Sequence, residues 1–481
     1  MAAMPCTMGF AGPYPCLNVD LLAIVPTNTL SGGGSGSGSW GWTDPVTGKE
    51  YAIQGHSEAT SFVDISNPES PIFLGTLPTA AVGALWREMR VYKNHVFIVA
   101  DFVANVGHGM QIFDLTRLRS LVTTPAVLTA DARYTGFGKA HTITINEDTG
   151  FAYANGSNAC PGGGPYMMNI QNPLNPIFVG CVTQAGYTHD SQCVVYHGPD
   201  PAYSGHEICL NGNGSRMVVA DVTIKSAPII LSSKTYPNLG YTHQAWFTED
   251  HAYFLLDDEY DESNSGINTT TYIWDARDLD NPVLIRAYAQ PTTCIDHNQY
   301  IRGNFVYQAN YTCGLRVFNL NDVASGNLNL VAYFDTVPGT NAAQFVGAWN
   351  NYPYYNSGVV VVSDIEQGMF ILRPRLIGPS AAHVSVGGRV MTSGGQGISK
   401  AAVALTDDMG NVRAAITSSF GYFNFPEVES GKTYVLTVRS KRYNFEPTMI
   451  TVNDEISDLI ITPIRAGKRS TEFAAVPLSE H

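Results

Sequence analysis

The sequence predicts an all-β chain, a seven-bladed β-propeller followed by a small β-sandwich, and three observations carry that prediction. First, polar residues recur at equivalent places: Arg87, His141, His189, His243 and His297, separated by 54, 48, 54 and 54 positions. Each is followed four positions later by an apolar residue (Val91, Ile145, Cys193, Phe247 and Ile301). Second, an apolar pair, Asp or Asn, and another residue, usually apolar, recur in step, from Phe62-Val63-Asp64-Ile65 to Val317-Phe318-Asn319-Leu320. Third, 46 Gly, 27 Pro, 11% aromatic and only 14% charged residues favour strands and tight turns over helices. No stretch carries apolar residues at helical spacing. A repeat of this length means supersecondary units each too small to bury a core alone.

Each unit reads as strand, short turn, strand, longer loop, strand, Asx-Pro turn, strand, the arithmetic of a propeller blade. The first spans residues 40–77, led by Trp40-Gly41-Trp42, and the last spans 342–372, led by Gln344. The last is short by one strand. The apolar stretch 19–25 can supply it and close the ring through the N-terminus, removing an exposed edge. The recurring Asp or Asn after the third strand is expected to accept from backbone N–H groups and fix the next turn, with no catalytic role. The chain therefore divides into an N-terminal segment (1–37), the propeller (38–376), a linker (377–383), the sandwich (384–464) and a tail (465–481) that is flexible or ordered by a partner.

Charge and cysteines bound the setting. A net charge of −14 with no basic patch argues against nucleic acid and anionic membrane surfaces as partners. No apolar run is long enough to span a bilayer, and no signal peptide is visible. The eight cysteines fall into near neighbours: Cys6 with Cys16, Cys160 with Cys181, Cys193 with Cys209, and Cys294 with Cys313. Their spacings match neither redox nor zinc-ribbon motifs, so local disulfides and a secreted, extracellular or cell-surface location are expected. Asn155, Asn213, Asn268 and Asn310 stand in N-x-S/T sequons and are candidate glycosylation sites in a eukaryotic host.

The phrase Phe62-Val63-Asp64-Ile65-Ser66-Asn67-Pro68 resembles the LVIVD-repeat proteins, and the run from Pro15-Cys16-Leu17-Asn18-Val19-Asp20 resembles choice-of-anchor B proteins. Trp86-Arg87-Glu88, Tyr187-Thr188-His189-Asp190, Tyr241-Thr242-His243-Gln244, Ile295-Asp296-His297-Asn298 and Glu366-Gln367-Gly368-Met369-Phe370 extend that likeness over residues 5–375. The resemblance implies a secreted or surface-attached β-propeller and carries over no catalytic activity. Farther on, Gly388-Arg389-Val390 and the stretches 401–405, 417–425 and 434–438 look like a carboxypeptidase-regulatory or Cna-B type prealbumin-like module. Such modules serve as stalks, spacers or adhesion units. No Lys and Asn are placed to form an internal isopeptide bond.

If the first strand of each blade lines the channel, Arg87, His141, His189, His243, His297 and Gln344 converge at one rim. Two readings compete there. The imidazoles bind a transition metal or an anionic ligand, with His189, His243 and His297 as metal ligands, or each His bonds the neighbouring blade and sets its register. The acidic run Asp257, Asp258, Glu259, Asp261 and Glu262, with Ser263, Asn264 and Ser265, is either a calcium loop using Asp257, Asp258 and Asp261 or a solvated loop. Glu88 and Asp190 are candidates for an acid or base, or for hydrogen bonding at blade junctions. Nucleophile elbows, zincin motifs and P-loops are absent. The expected function is non-enzymatic, in extracellular adhesion, matrix or appendage assembly, with an extracellular protein, a glycan or a second copy as partner. The rival is an extracellular metal-dependent hydrolase with its site at the histidine rim.

Overall fold

In the computed structural model the chain forms two compact units, residues Met1–Leu376 and Ile377–His481. The structure describes residues 3–31, 34–101, 107–376, 384–392, 394–407, 410–430, 432–452 and 455–464. The expected linker and tail lie outside these residues. No helix among them is long and apolar enough to cross a membrane.

The first unit is propeller-like and almost entirely β. Its strands form antiparallel sheets with a four-strand core, taken up along the chain one after another. The first core is Gly36–Thr43, Glu50–His56, Ala59–Asp64 and Ile72–Pro78; the second is Trp86–Tyr92, His95–Asp101, Met110–Asp114 and Ala132–Tyr134. The third runs from Thr142–Asn146 to Ile177–Cys181, the fourth from Asp190–Val195 to Ile229–Lys234, and the fifth from Thr242–Phe247 to Val283–Ala289. The sixth runs from Gln299–Arg302 to Asn329–Phe334 and gains Tyr14–Leu17 and Phe10–Ala11 at its edge. In the last sheet, Ala348–Tyr352, Val360–Asp364 and Gly368–Pro374 are completed by Val19–Pro26, paired antiparallel to Gly368–Pro374. The stretch 19–25 thus takes the place its apolar sequence suggested. The first strand of each sheet packs on that of the next, and Ala348–Tyr352 returns to Gly36–Thr43.

The repeat is visible in the local bonding. The Asx side chain ending the third strand accepts from the backbone N–H two residues on, at Asp64 to Ser66, Asp114 to Thr116, Asn169 to Gln171 and Asp221 to Thr223 (each 2.9 Å), Asp275 to Arg277 (3.0 Å) and Asn319 to Asn321 (2.7 Å). Each fixes the turn into the outer strand. In five sheets that outer strand bulges opposite the apolar pair, at Leu74, Val179, Leu231, Ile285 and Val331. Cores are shared between sheets: the rings of Phe62 and Phe113 stand 5.1 Å apart, and Phe97 shares a cluster with Ile143, Tyr153 with Val218, Leu210 with Phe254, and Leu255 with Phe318. Burial of apolar surface therefore requires the neighbouring sheet.

The second unit pairs Tyr422–Val428, Val384–Val390 and Ile456–Ile461 in one sheet, and Val412–Ile416, Ala402–Thr406, Lys432–Arg439 and Thr448–Val452 in another. Val386, Val403, Phe425, Leu436 and Val452 share its core.

Cys6–Cys16, Cys193–Cys209 and Cys294–Cys313 are disulfides, but Cys160 and Cys181 remain thiols in contact, which corrects the expected fourth bond. The sequons require a second correction. Asn155, Asn213 and Asn310 are buried, and only Asn268 is exposed. Asn155 donates to Thr142 and Ser191, and Asn213 to the Ala185 carbonyl, so these side chains serve the inner hairpins instead of carrying glycans.

Candidate metal centre and aromatic bowl

Because the first strands all run the same way, their opening residues gather at one end. His141, His189, His243 and His297 form a continuous row, with consecutive ring centroids 4.2, 4.3 and 4.3 Å apart. One device orients all four. Nδ1 of His189 faces the His243 carbonyl (3.3 Å) and Nδ1 of His297 faces the Trp349 carbonyl (2.6 Å). A carbonyl cannot donate, so these nitrogens carry the proton and Nε2 keeps its lone pair. Nδ1 of His141 meets Asp101 at 3.0 Å, and that of His243 meets Asp257 at 2.8 Å, a carboxylate–histidine arrangement with the same consequence. Only His189 and His297 bond the next sheet in this way; His141 bonds the preceding sheet and His243 the neighbouring strand of its own.

Glu259 completes the cluster. One donor atom each from His189, His243 and Glu259 lie within 4.8 Å of one another, and His297 Nε2 is 3.5 Å from Glu259 Oε1. Tetrahedral donors on an ion with 2.0–2.1 Å bonds stand about 3.3 Å apart, so modest side-chain closure would fit the set to a metal. Burial holds His189 and His243 well below the usual imidazole range, and it lowers His297 to about 3. All three are therefore neutral, as ligands must be. Burial pushes the Glu259 carboxyl up to about 7, against the Tyr311 hydroxyl that donates to it at 2.6 Å.

His141, His189, His297 and Glu259 line a bowl of about 540 Å³ walled by Trp86, Tyr187, Tyr241, Tyr260, Tyr311, Phe345 and Trp349, whereas His243 lines a narrower space that the other three histidines share. Tyr241 meets His189 edge-on at 5.3 Å, and Trp349 meets His297 edge-on at 4.9 Å. A second cavity of about 450 Å³ involves the far ends of the inner strands, with Trp40, Arg90, Gln192, Trp246 and Tyr352 in its wall. Its lining also includes Glu147, Asp148, His197 and His251, but among the described residues no three of these bring ligand atoms together as the histidine row does.

Several sequence expectations are redirected. Gln344 is exposed and outside the bowl; Trp349, whose carbonyl receives the His297 bond, takes the ladder position in the last sheet. Arg87 is in register, fully buried and beside the same narrow space as the four histidines, but its guanidinium is taken up by the first sheet. It donates to the His56 carbonyl (2.6 Å) and the Ser57 carbonyl (2.9 Å), with His108 Nε2 at 3.0 Å, and so fastens the first two sheets. Glu88 pairs with the buried Arg90 of its own strand, and Asp190 accepts from Ser191 (2.7 Å) and, across the junction with the fifth sheet, from Gln244 (3.0 Å).

The acidic run is not a solvated loop, for Asp257, Asp258, Glu259, Asp261 and Glu262 are all buried. Nor does it act as one calcium loop. Asp258 is spent on Tyr236, Gly240, Tyr241 and Tyr260, and Asp257 on His243 and Gln244, while the exposed Ser263, Asn264 and Ser265 take no part. Glu259 joins the histidines, and Asp261 and Glu262 join Asp296 in a separate group. Sequence reading missed Glu259 and Asp101 as histidine partners. The signal was present: in a hairpin, residues at the end of the second strand lie beside the start of the first, which is where Asp101 stands, with Glu259 one residue beyond Asp258.

No family model matches the sequence, and no curated protein matches it. Among solved structures, the chain is similar to a crystal structure of a protein from Lactobacillus plantarum, at 14% identity and a TM-score of 0.44 over 69% of this chain and 87% of that one. A likeness at that level carries no argument about function.

Proposed function

We propose that the chain is a secreted, seven-bladed LVIVD-type propeller with a prealbumin-like β-sandwich, and that its channel mouth is a transition-metal centre opening on a ligand-binding bowl. One observation carries the reading: three neutral imidazoles, His189, His243 and His297, each held through Nδ1, beside the buried carboxyl of Glu259. His189, His243 and Glu259 are the ligands, with His297 alongside. Mixed imidazole and carboxylate donors suit zinc and its first-row neighbours. Three protein ligands with an open position facing a cavity is the pattern of catalytic zinc. Such an ion, when bound, polarises a substrate oxygen and acidifies a water toward neutrality.

The chain's own residues do the rest. Asp257 and the His243 and Trp349 carbonyls aim the rings. Trp86, Trp349 and the tyrosines exclude water and offer flat faces to a ring-bearing substrate, a glycan among the candidates. His141, held through Nδ1 by Asp101, lines the bowl beside the ligand set. The reading is therefore an extracellular metal-dependent hydrolase, and the disulfides suit that compartment. Metal analysis of protein purified without added ions tests it. Stoichiometric zinc-class metal, lost in a His189→Ala/His243→Ala double variant, is expected; metal-free wild type that also takes up none on zinc titration refutes it.

The non-enzymatic reading, in extracellular adhesion or assembly, has an observation of its own. Val412, Ile416, Phe420 and Tyr422 of the second unit are 61%, 73%, 70% and 55% exposed, the first two on an edge strand. Self-association abolished by Ile416→Asp with Phe420→Asp would support it, and a monomer at all concentrations would count against it.

A further inference from the structure

We propose that Asp261, Glu262 and Asp296 form a calcium site, separate from the histidine centre, that ties the fifth sheet to the sixth. Asp261 and Glu262 open the short helix Asp261–Ser265, between the second and third strands of the fifth sheet. Asp296 lies in the segment entering the sixth sheet, two residues after Cys294, whose disulfide to Cys313 anchors that segment. All three are buried, at 0%, 3% and 1% exposure, and a carboxylate oxygen from each lies within 4.8 Å of the others.

The hydrogen bonding divides the oxygens into two sets. Asp261 Oδ2 accepts from the Tyr272 hydroxyl (2.8 Å) and Glu262 Oε1 from the Thr270 amide (3.0 Å). Those bonds fix the two side chains. Asp261 Oδ1, Glu262 Oε2 and both oxygens of Asp296 accept from no N–H or hydroxyl donor, and the Asp261 and Glu262 carboxyls face each other. Among the described residues, no Lys, Arg or His forms an ion pair with any of the three. Asp296 decides the matter: a fully buried carboxyl with neither oxygen satisfied, directed at two other carboxyls, is costly as it stands. One divalent ion removes most of that cost by taking four free oxygens at once. An all-oxygen donor set drawn from carboxylates selects a hard cation, and side chains held at spacings up to 4.8 Å suit calcium, with its 2.3–2.6 Å bonds and six to eight ligands, better than compact magnesium.

The competing neutraliser is the proton, shared between carboxyls. Calorimetric titration of the EGTA-treated full-length chain with calcium chloride near neutral pH separates the two. The expected result is one calcium bound per chain with a rise in melting temperature. Asp296→Asn and Glu262→Gln should each weaken binding by about tenfold or more, because ligand charge sets calcium affinity. The His189→Ala/His243→Ala variant should bind calcium like the wild type while losing its transition metal, so the two sites fail independently. A stripped wild-type chain that neither binds millimolar calcium nor melts higher in it overturns the proposal. So does wild-type affinity in both carboxylate variants. If Asp296→Asn does not fold, the wild-type titration and Glu262→Gln decide.

Discussion

At His243 the Nδ1 proton is held by Asp257 at 2.8 Å, so the nitrogen facing the cluster owes its lone pair to a residue on the adjacent strand. Burial pushes the Asp257 carboxyl well up, and replacing it with Asn keeps the shape but removes the group whose ionised form favours this tautomer and raises ring basicity. Zinc affinity should fall by about 10–100-fold, read by chelator competition, with no loss of secondary structure. Arg87 works in the other direction, as a joint. Its guanidinium satisfies the His56 and Ser57 carbonyls inside the protein. Arg87→Met strands these acceptors and should cost on the order of 2–4 kcal/mol in urea unfolding while leaving the metal site loaded.

The element that repeats is the hairpin of first and second strands, and its ends explain both what was found and what was misread. The second strands end at His56, Asp101, Asn155, Asp258 and Asp364, with Asn213 and Asn310 one residue past two others. Asn155, Asn213 and Asn310 therefore recur because the inner hairpin needs a polar residue there, and the following Gly or Tyr and Ser or Thr merely complete a sequon. Gly212 stands at this place in the fourth sheet because a side chain would collide with the His243 carbonyl, at 2.5 Å from an added Cβ.

Outside the metal cluster, burial lowers His56, His108 and His251 from 6.5 to about 4. Between those values the unfolded chain binds protons that these folded rings refuse, so their contribution is full above pH 6.5 and is lost as pH falls toward 4. His251→Asn tolerates the left-handed backbone (φ 52°) and removes one such ring. Its melting temperature should drop less than that of the wild type between pH 6.5 and 4.5; an unchanged drop would show that His251 does not titrate this way.

For the whole molecule, closure of the first unit depends on Val19–Pro26, whose Val19 and Leu21 are almost fully buried against Gly368–Pro374. Deleting residues 1–26 should leave that strand as a bare edge, and the shortened chain should associate or aggregate by size-exclusion chromatography where the full chain does not. Alternation, turn residues and periodicity act over short stretches of chain. For that reason the all-β character, the strand positions, the closing strand and the histidine ladder were legible in the sequence. Its period implied a shared axis, and His141, His189, His243 and His297 do stand in one row. Which way a ladder residue turns is set by neighbours far along the chain. Arg87 leaves the row because the carbonyls of the first sheet capture it, and Trp349 enters it because the last sheet is registered by the His297 bond. The acidic run read as one loop because its residues are consecutive. Only tertiary packing divides it, sending Glu259 to the histidines and Asp261 and Glu262 to Asp296, since burial makes each carboxylate depend on whatever partner the adjoining sheet provides.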